Sequence, residues 1–77
     1  MEKEEKIVVT FYTTTDAMLV ELEGKKCGIL GRLIPTPTQI TAQCGLSYMA
    51  SMSEKEKVLQ LLEKMPSISY KLYEIFL

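Results

Sequence analysis

The chain has 77 residues, 9 of them basic and 10 acidic, and it contains no histidine. A chain of this length forms one domain with a thin core, so a ligand must be small or bound at the surface. The net charge of −1 gives no basic surface for nucleic acid, and the absence of histidine excludes Ser-His and Cys-His nucleophiles within one chain and removes the commonest metal ligand.

The first part of the chain predicts a strand followed by a helix. Residues 1–5 are expected to be a disordered lead-in, and the β-branched and aromatic residues 7–12 are typical of a strand. Residues 16–26 predict a helix, with a threonine before it as the cap and two lysines in its last turn. Either Gly24 or Gly28 can terminate it. Its inward-facing candidates are Ala17, Leu19 and Val20.

A second strand, residues 29–34, leads into a loop that contains two prolines. Pro35 and Pro37 end the strand because neither can donate a hydrogen bond to a neighbouring strand. The pattern of residues 36–39 predicts one helical turn, with a threonine cap and a glutamine three positions later. We expect Ile40 to be held against the core after this turn.

The last part of the chain predicts strand, helix and strand. Residues 46–51 and 70–76 are the strands, and Ser53 with Glu56 has the spacing of a capping box that opens a helix. Pro66 ends this helix. Its apolar face has the helical spacing i, i+3, i+4, i+7 and consists of Val58, Leu61, Leu62 and Met65.

The predicted order of elements is β-α-β-β-α-β within a single domain, residues 1–77. The simplest arrangement of this order is an α+β, ferredoxin-like fold, with a four-stranded antiparallel sheet and both helices on one face. Right-handed crossovers place the first and third strands in the middle of the sheet.

This topology gives Cys44 a distinctive position. It places the loop that ends at Cys44 at the same end of the sheet as the start of the first helix, near Tyr12 and Thr13. A helix N-terminus and neighbouring hydroxyls stabilise a thiolate and lower the pKa of a thiol, and Gly45 leaves room for a reaction partner. Cys27 falls at the opposite end, so we expect no intramolecular disulfide. The two cysteines match no zinc-binding spacing.

Three segments of the sequence resemble one known family. They are residues 31–37 (GRLIPTP), 40–45 (ITAQCG) and 9–17 (VTFYTTTDA). The chain resembles, over nearly its whole length, the putative selenium/sulfur (Se/S) carrier protein-like family, short uncharacterised bacterial proteins that are also found fused to sulfurtransferase-related domains.

The resemblance implies that Cys44 accepts sulfur or selenium as a persulfide or selenosulfide, with Gly45 beside it. A basic residue is expected after the second proline of the loop, but Thr38 stands there, which leaves Arg32 as the nearest basic candidate. The candidate residues for binding an anion or substrate are Thr13, Thr14, Thr15, Arg32, Pro35, Pro37 and Thr41.

Two classes of function remain open, a carrier and a binding module, and both are favoured over a turnover enzyme. In the first, the chain is a cytosolic thiol carrier that receives its cargo from a cysteine desulfurase or sulfurtransferase and needs no cofactor besides the covalent group on Cys44. In the second, it is a non-catalytic binding or regulatory module in which Cys44 only packs. No membrane or nucleic-acid partner is expected. Apolar residues on both faces of the last strand suggest a homodimer through the open sheet face.

Overall fold

The computed structural model describes residues 3–40 and 45–77. Its elements in chain order are β1 (Glu5–Phe11), α1 (Thr14–Lys26), β2 (Gly31–Pro35), β3 (Leu46–Ser51), a 3₁₀ turn (Met52–Glu54), α2 (Lys55–Glu63) and β4 (Tyr70–Phe76). The four strands form one antiparallel sheet in the order β2-β3-β1-β4. The predicted α+β, ferredoxin-like fold is confirmed, with β1 and β3 in the middle of the sheet.

The first two strands in chain order differ from the prediction at both ends. β1 begins at Glu5, and Glu4 and Leu77 exchange backbone hydrogen bonds of 3.1 and 3.0 Å, so the expected disordered lead-in does not extend to residues 4 and 5. β2 begins two residues late, because the N–H of Ile29 donates to Gly24 and that of Leu30 donates to a glutamate carboxylate. β3 and β4 have the predicted bounds.

Helix α1 is capped as the sequence indicates. The hydroxyl of Thr13 accepts a hydrogen bond of 3.2 Å from the N–H of Asp16, and the helix begins two residues earlier than predicted. Gly28, with φ 76°, ends the helix, whereas Gly24 lies inside it. The prediction that Leu19 faces inward is wrong. The buried residues Ala17, Val20 and Gly24 define the inner face, and Leu19 lies on the solvent side with 43% of its surface exposed.

The predicted capping box before α2 is wrong. Ser53 lies within the 3₁₀ turn, and its hydroxyl is 2.8 Å from that of Ser51, so it caps no helix. Glu54 takes the cap position without a side-chain cap bond, because its carboxylate instead accepts the N–H of Leu30 at 2.8 Å. The predicted apolar face of α2 is confirmed for Val58, Leu61 and Leu62, which are buried. The helix ends at Glu63, before Pro66, so Met65 packs against the core from beyond the helix.

Tyr48 of β3 is the largest side chain of the core and packs against two glycines. A β-carbon added at Gly24 or at Gly31 would lie 2.6 or 2.3 Å from the Tyr48 hydroxyl oxygen, so both positions require glycine for this close approach. That hydroxyl has no hydrogen-bond partner among the described residues. Burial raises the pKa of Tyr48, and the negative charges of Glu21 and Glu54 raise it further.

The sheet face without helices is also partly buried. Ile7 and Val9 point into the core between sheet and helices, so Val8 and Thr10 point to the other face. Val8 is fully buried and Thr10 is 3% exposed, and Ser47, the pairing partner of Thr10 on β3, is fully buried. The middle of this open face is therefore covered by the chain itself.

Candidate functional site

The described residues place the start of α1 and Gly45, which follows the loop, at the same end of the sheet. Thr10 and Ser47 form the last residue pair between β1 and β3. Beyond this pair, β1 leads through Tyr12 to the N-terminus of α1, whereas Gly45 immediately precedes β3. This end of the sheet is the candidate site.

Cys44 and Thr41, two of the predicted site residues, lie outside the described residues. The expected proximity of Cys44 to Tyr12 and Thr13 therefore stays a prediction, as does the absence of a disulfide. Cys27 is an exposed free cysteine directly after α1, at the far end of that helix from the candidate site.

The base of the loop is joined to the sheet by backbone and side-chain bonds. Pro35 pairs with Leu46, and the N–H of Thr36 donates to the carbonyl of Gly45 at 2.9 Å. The hydroxyls of Thr36 and Ser47 are 2.8 Å apart, so one donates to the other. The loop ends are therefore held by the same ladder that pairs β2 with β3.

The helical turn predicted after Thr36 is a hydrogen-bonded turn without helical residues. The N–H of Ile40 donates to the carbonyl of Pro37 at 3.0 Å, and Ile40 is 8% exposed, in agreement with its predicted burial. Pro35 is exposed at the end of β2 and Pro37 is half-buried in the turn. Both prolines therefore shape the loop as it leaves the sheet, and neither presents a polar group that would hold an anion.

Gly45 is exposed, and a β-carbon added there would have no atom within 4 Å. Its φ is not positive, since Gly28 is the one described glycine in that region. Neither packing nor backbone conformation therefore requires a glycine at this position. An open approach to the neighbouring residue is compatible with this geometry.

The three threonines at the start of α1 have unequal roles. Thr13 is committed to the cap, whereas Thr14 and Thr15 are exposed in the first turn. The N–H of Asp16 is bonded to the Thr13 hydroxyl, and that of Ala17 donates to the Thr13 carbonyl at 3.3 Å. The N–H groups of Asp16 and Ala17 are therefore engaged with Thr13 and are not offered to an anion.

The structure does not bring Arg32 to the start of α1. Arg32 is exposed on the open face opposite Met49, while α1 lies on the other face of the sheet. It also precedes Pro35 by three residues, which is about 10 Å along a strand. The candidate anion site predicted from these residues is therefore divided between two faces.

Another cation lies on the open face at this end of the sheet. Lys71 of β4 pairs with Thr10, which pairs with Ser47, so the three side chains form one row across three strands. Lys71 is exposed, and it forms no ion pair within the described parts of the chain. Sequence reasoning missed this row, although the alternation of the strands combined with the strand order would have indicated it.

The described residues offer neither a metal site nor a membrane span. Over residues 3–40 and 45–77, no three histidine, cysteine or acidic side chains cluster in a way that would hold a metal ion. The helices of the same residues are too short or too polar to cross a bilayer.

Comparison with known proteins identifies a family. No curated protein and no solved structure matches the chain. A family model described as "Putative Se/S carrier protein-like" matches residues 6–74, which includes both helices, β2, β3, the whole loop and most of β1 and β4. The match extends over far more than half of the 77 residues, so the chain belongs to the Se/S carrier protein-like family.

Proposed function

We propose that this protein is a small thiol carrier in the cytosol and that Cys44 is its acceptor. The observation that carries the proposal is the family match over residues 6–74, which includes Cys44 and Gly45. A carrier needs one nucleophilic atom and no general base, and a chain without histidine meets this requirement. The bound group is covalent, so no further cofactor is part of the proposal.

The transfer step is an exchange between sulfur atoms. The thiolate of Cys44 attacks the terminal sulfur of a persulfide on a donor protein, and the bond between that sulfur and the donor cysteine breaks. Cys44 then carries the persulfide and the donor cysteine is released as a thiolate, so no external oxidant or reductant is needed. A donor perselenide gives a selenosulfide on Cys44 by the same exchange. A cysteine desulfurase or sulfurtransferase is the class of donor that supplies such groups.

The described surroundings support this role at the level of geometry. The N-terminus of α1 contributes a positive dipole end to the end of the sheet where the loop is attached. Thr36 and Gly45 hold the loop ends in one register. The exposed ammonium of Lys71 adds a positive charge on the open face of the same end, which favours an anionic sulfur or selenium species.

Intact-mass spectrometry after incubation with a cysteine desulfurase and cysteine tests the proposal. We expect one added sulfur atom on the wild type and on Cys27→Ser, and none on Cys44→Ser. The same comparison with a donor protein that carries a perselenide tests selenium. An adduct that persists in Cys44→Ser, or wild-type protein without any adduct, contradicts the carrier role.

A binding module without carrier chemistry is the alternative, and one surface favours it. Met18, Leu19 and Leu22 expose 58%, 43% and 51% of their surfaces on the outer side of α1, which is more apolar than a solvent-facing helix surface needs to be. The two functions differ in the pH dependence of alkylation. A carrier thiol reacts with iodoacetamide at a lower pH than Cys27 in the same sample, whereas a packed thiol reacts slowly at every pH.

A further inference from the structure

The free edges of the two outer strands, β2 and β4, differ in whether other groups of the chain obstruct pairing with a further strand. In an antiparallel ladder, alternate residues point their backbone groups to opposite sides. The N–H of Thr36 donates to Gly45, the residue before β3, so the even-numbered residues of β2 turn their backbone groups toward β3. The backbone groups of Gly31, Leu33 and Pro35 therefore point to the free edge. Proline has no N–H, and the N–H of Leu33 donates to the Glu21 carboxylate at 3.2 Å. These devices obstruct strand pairing at the β2 edge.

The edge of β4 has no such protection. Leu77 exchanges both backbone bonds with Glu4, so the odd-numbered residues of β4 face β1. The outward N–H and C=O groups therefore belong to Tyr70, Leu72, Glu74 and Phe76. No described residue bonds to these groups, and β4 contains no proline over its seven residues. A long edge of this kind is a template for another strand.

The side chains at the two ends of this edge are exposed aromatic rings. Tyr70 exposes 40% of its surface and Phe76 exposes 59%, while Leu72 between them packs against the core. All three point to the helix side of the sheet because their positions differ by even numbers. The edge thus carries an aromatic residue near each end, at equal distances from its centre.

We propose that β4 pairs antiparallel with β4 of a second copy about a two-fold axis at Tyr73, which gives a continuous eight-stranded sheet. In this register Tyr70 lies opposite Phe76 of the second copy, and Leu72 lies opposite its Glu74. All seven residues of the strand are then paired. Aromatic pairs across an antiparallel ladder are favourable, and symmetry provides two of them.

Neighbouring registers are less favourable. A shift that places Leu72 opposite its own copy leaves Phe76 without a partner residue in β4. The opposite shift places Glu74 against its own copy, and like charges directly opposite each other destabilise a ladder. We place the contact at the edge and not on the open face, because Val8, Thr10 and Ser47 in the middle of that face are already buried within the chain.

Mass measurements on charged variants test the pairing and its register. In Tyr70→Lys/Phe76→Lys each lysine lies opposite a lysine, whereas in Tyr70→Glu/Phe76→Lys each glutamate lies opposite a lysine. We expect wild type to sediment as a species of twice 8.8 kDa. The lysine pair should raise the dissociation constant at least about tenfold, and the glutamate-lysine pair should restore most of the affinity. Leu30→Lys, at a residue that is 82% exposed near the protected edge, is the matched control and should leave the constant unchanged.

NMR provides a second readout that does not depend on substitutions. In the proposed register the α-protons of Lys71 and of Ile75 of the second copy face each other in a non-hydrogen-bonded pair, with α-carbons about 4.5 Å apart. Within one chain the two residues are about 13 Å apart along the strand, so a cross-peak between them requires a second copy. A monomeric mass at every concentration overturns the proposal. So does a dimer with equal affinity in both charged variants, which stacked open faces or the outer side of α1 would give.

Discussion

The packing of Tyr48 against Gly24 leads to a prediction about a substitution that helix propensity alone would favour. Gly24 lies inside α1, where alanine is better than glycine by about 1 kcal/mol. The added methyl group would, however, lie 2.6 Å from the Tyr48 hydroxyl oxygen, and the ring is only 1% exposed and has no room to withdraw. Overpacking of this kind costs about 1–3 kcal/mol. We expect Gly24→Ala to lower the free energy of unfolding by about 1 kcal/mol net.

Removal of the hydroxyl should reverse the sign of this effect. In a Tyr48→Phe background the nearest ring atom, Cζ, is 3.4 Å from the new methyl group, which is an ordinary contact. Gly24→Ala should then stabilise the protein by about 1 kcal/mol, so the coupling between the two sites is about 2 kcal/mol. Tyr48→Phe alone should be neutral or stabilising by about 1 kcal/mol, because it removes a buried hydroxyl without a partner.

Urea denaturation of the four proteins, followed by far-UV circular dichroism, measures this coupling. Gly31→Ala is the matched control: its methyl group would lie 2.4 and 2.9 Å from Cζ and Cε2 of the ring, so Tyr48→Phe should not rescue it. In a parallel thermal denaturation, the midpoint temperatures should differ by about 4–8 °C for each kcal/mol. An equal cost of Gly24→Ala with and without the hydroxyl would refute the reasoning.

The same hydroxyl predicts a loss of stability in alkaline solution. Burial, and then the charges of Glu21 and Glu54, raise the pKa of Tyr48 above its ordinary value of 10.0. An unfolded tyrosine loses its proton near pH 10, so the contribution of neutral Tyr48 is complete below about pH 10 and is lost as the pH rises through the folded pKa. The hydrogen bond with Glu74 raises the pKa of Lys55, so loss of the Lys55 proton also lowers stability as the pH rises, and it does so equally in both proteins. The difference between wild type and Tyr48→Phe therefore isolates the tyrosine, and parallel profiles up to about pH 11 would contradict the assignment.

Four further substitutions have expected effects that the same denaturation assay measures. Gly28→Ala should cost about 1–2 kcal/mol, because φ is 76° there, and Gly28→Asn should cost less; equal costs would exclude a backbone origin. Thr13→Ala should cost about 1 kcal/mol by removing the helix cap, and Thr13→Ser should restore it. Glu54→Ala should cost about 1–3 kcal/mol because it leaves the N–H of Leu30 without its acceptor, and a Glu54→Gln variant as unstable as Glu54→Ala would argue against that bond. Gly45→Ala should change stability by less than about 0.5 kcal/mol, and a larger loss would show a packing role there.

The sequence predicted the element order well because the decisive signals are local. Residues 70–76 form a short run rich in aromatic and apolar residues, residues 46–51 directly follow a glycine, and both strands have the predicted bounds. The Thr13 cap and the turn that ends at Ile40 likewise depend on residues three or four positions apart. A β-α-β-β-α-β order then leaves few topologies, which is why the strand order could also be predicted.

The errors in the fold arise where a distant residue overrides a local pattern. Ser53 and Glu56 have capping-box spacing, but the carboxylate of Glu54 is held by the N–H of Leu30, twenty-four residues away in sequence. Leu19 has a suitable apolar side chain, yet Gly24 replaces a large residue on the inner face because Tyr48 fills that space. Neither interaction is visible until the strands and helices are assembled.

The candidate site could be predicted only in part for a similar reason. Proximity in the sequence favoured Arg32 as the cation nearest the loop, but Arg32 pairs with Met49, two residues farther along β3 than Ser47, and so lies away from that end of the sheet. Lys71, thirty-five residues beyond Thr36, reaches the relevant end of the sheet because β4 pairs with β1. The role of Cys44 is a prediction that the proposed mass measurement addresses.

The bond between Thr36 and Gly45 separates what the fold needs from what the loop can vary. The pairing of β2 with β3 is complete outside residues 37–44, and Ile40 is the described residue among them that is buried in the protein. Inserting one or two residues within this segment adds only a few tenths of a kcal/mol in loop-closure entropy. Under the proposed carrier role, substitutions in this segment outside Ile40 could therefore change which cargo is bound while the pairing of the strands that supports it is retained.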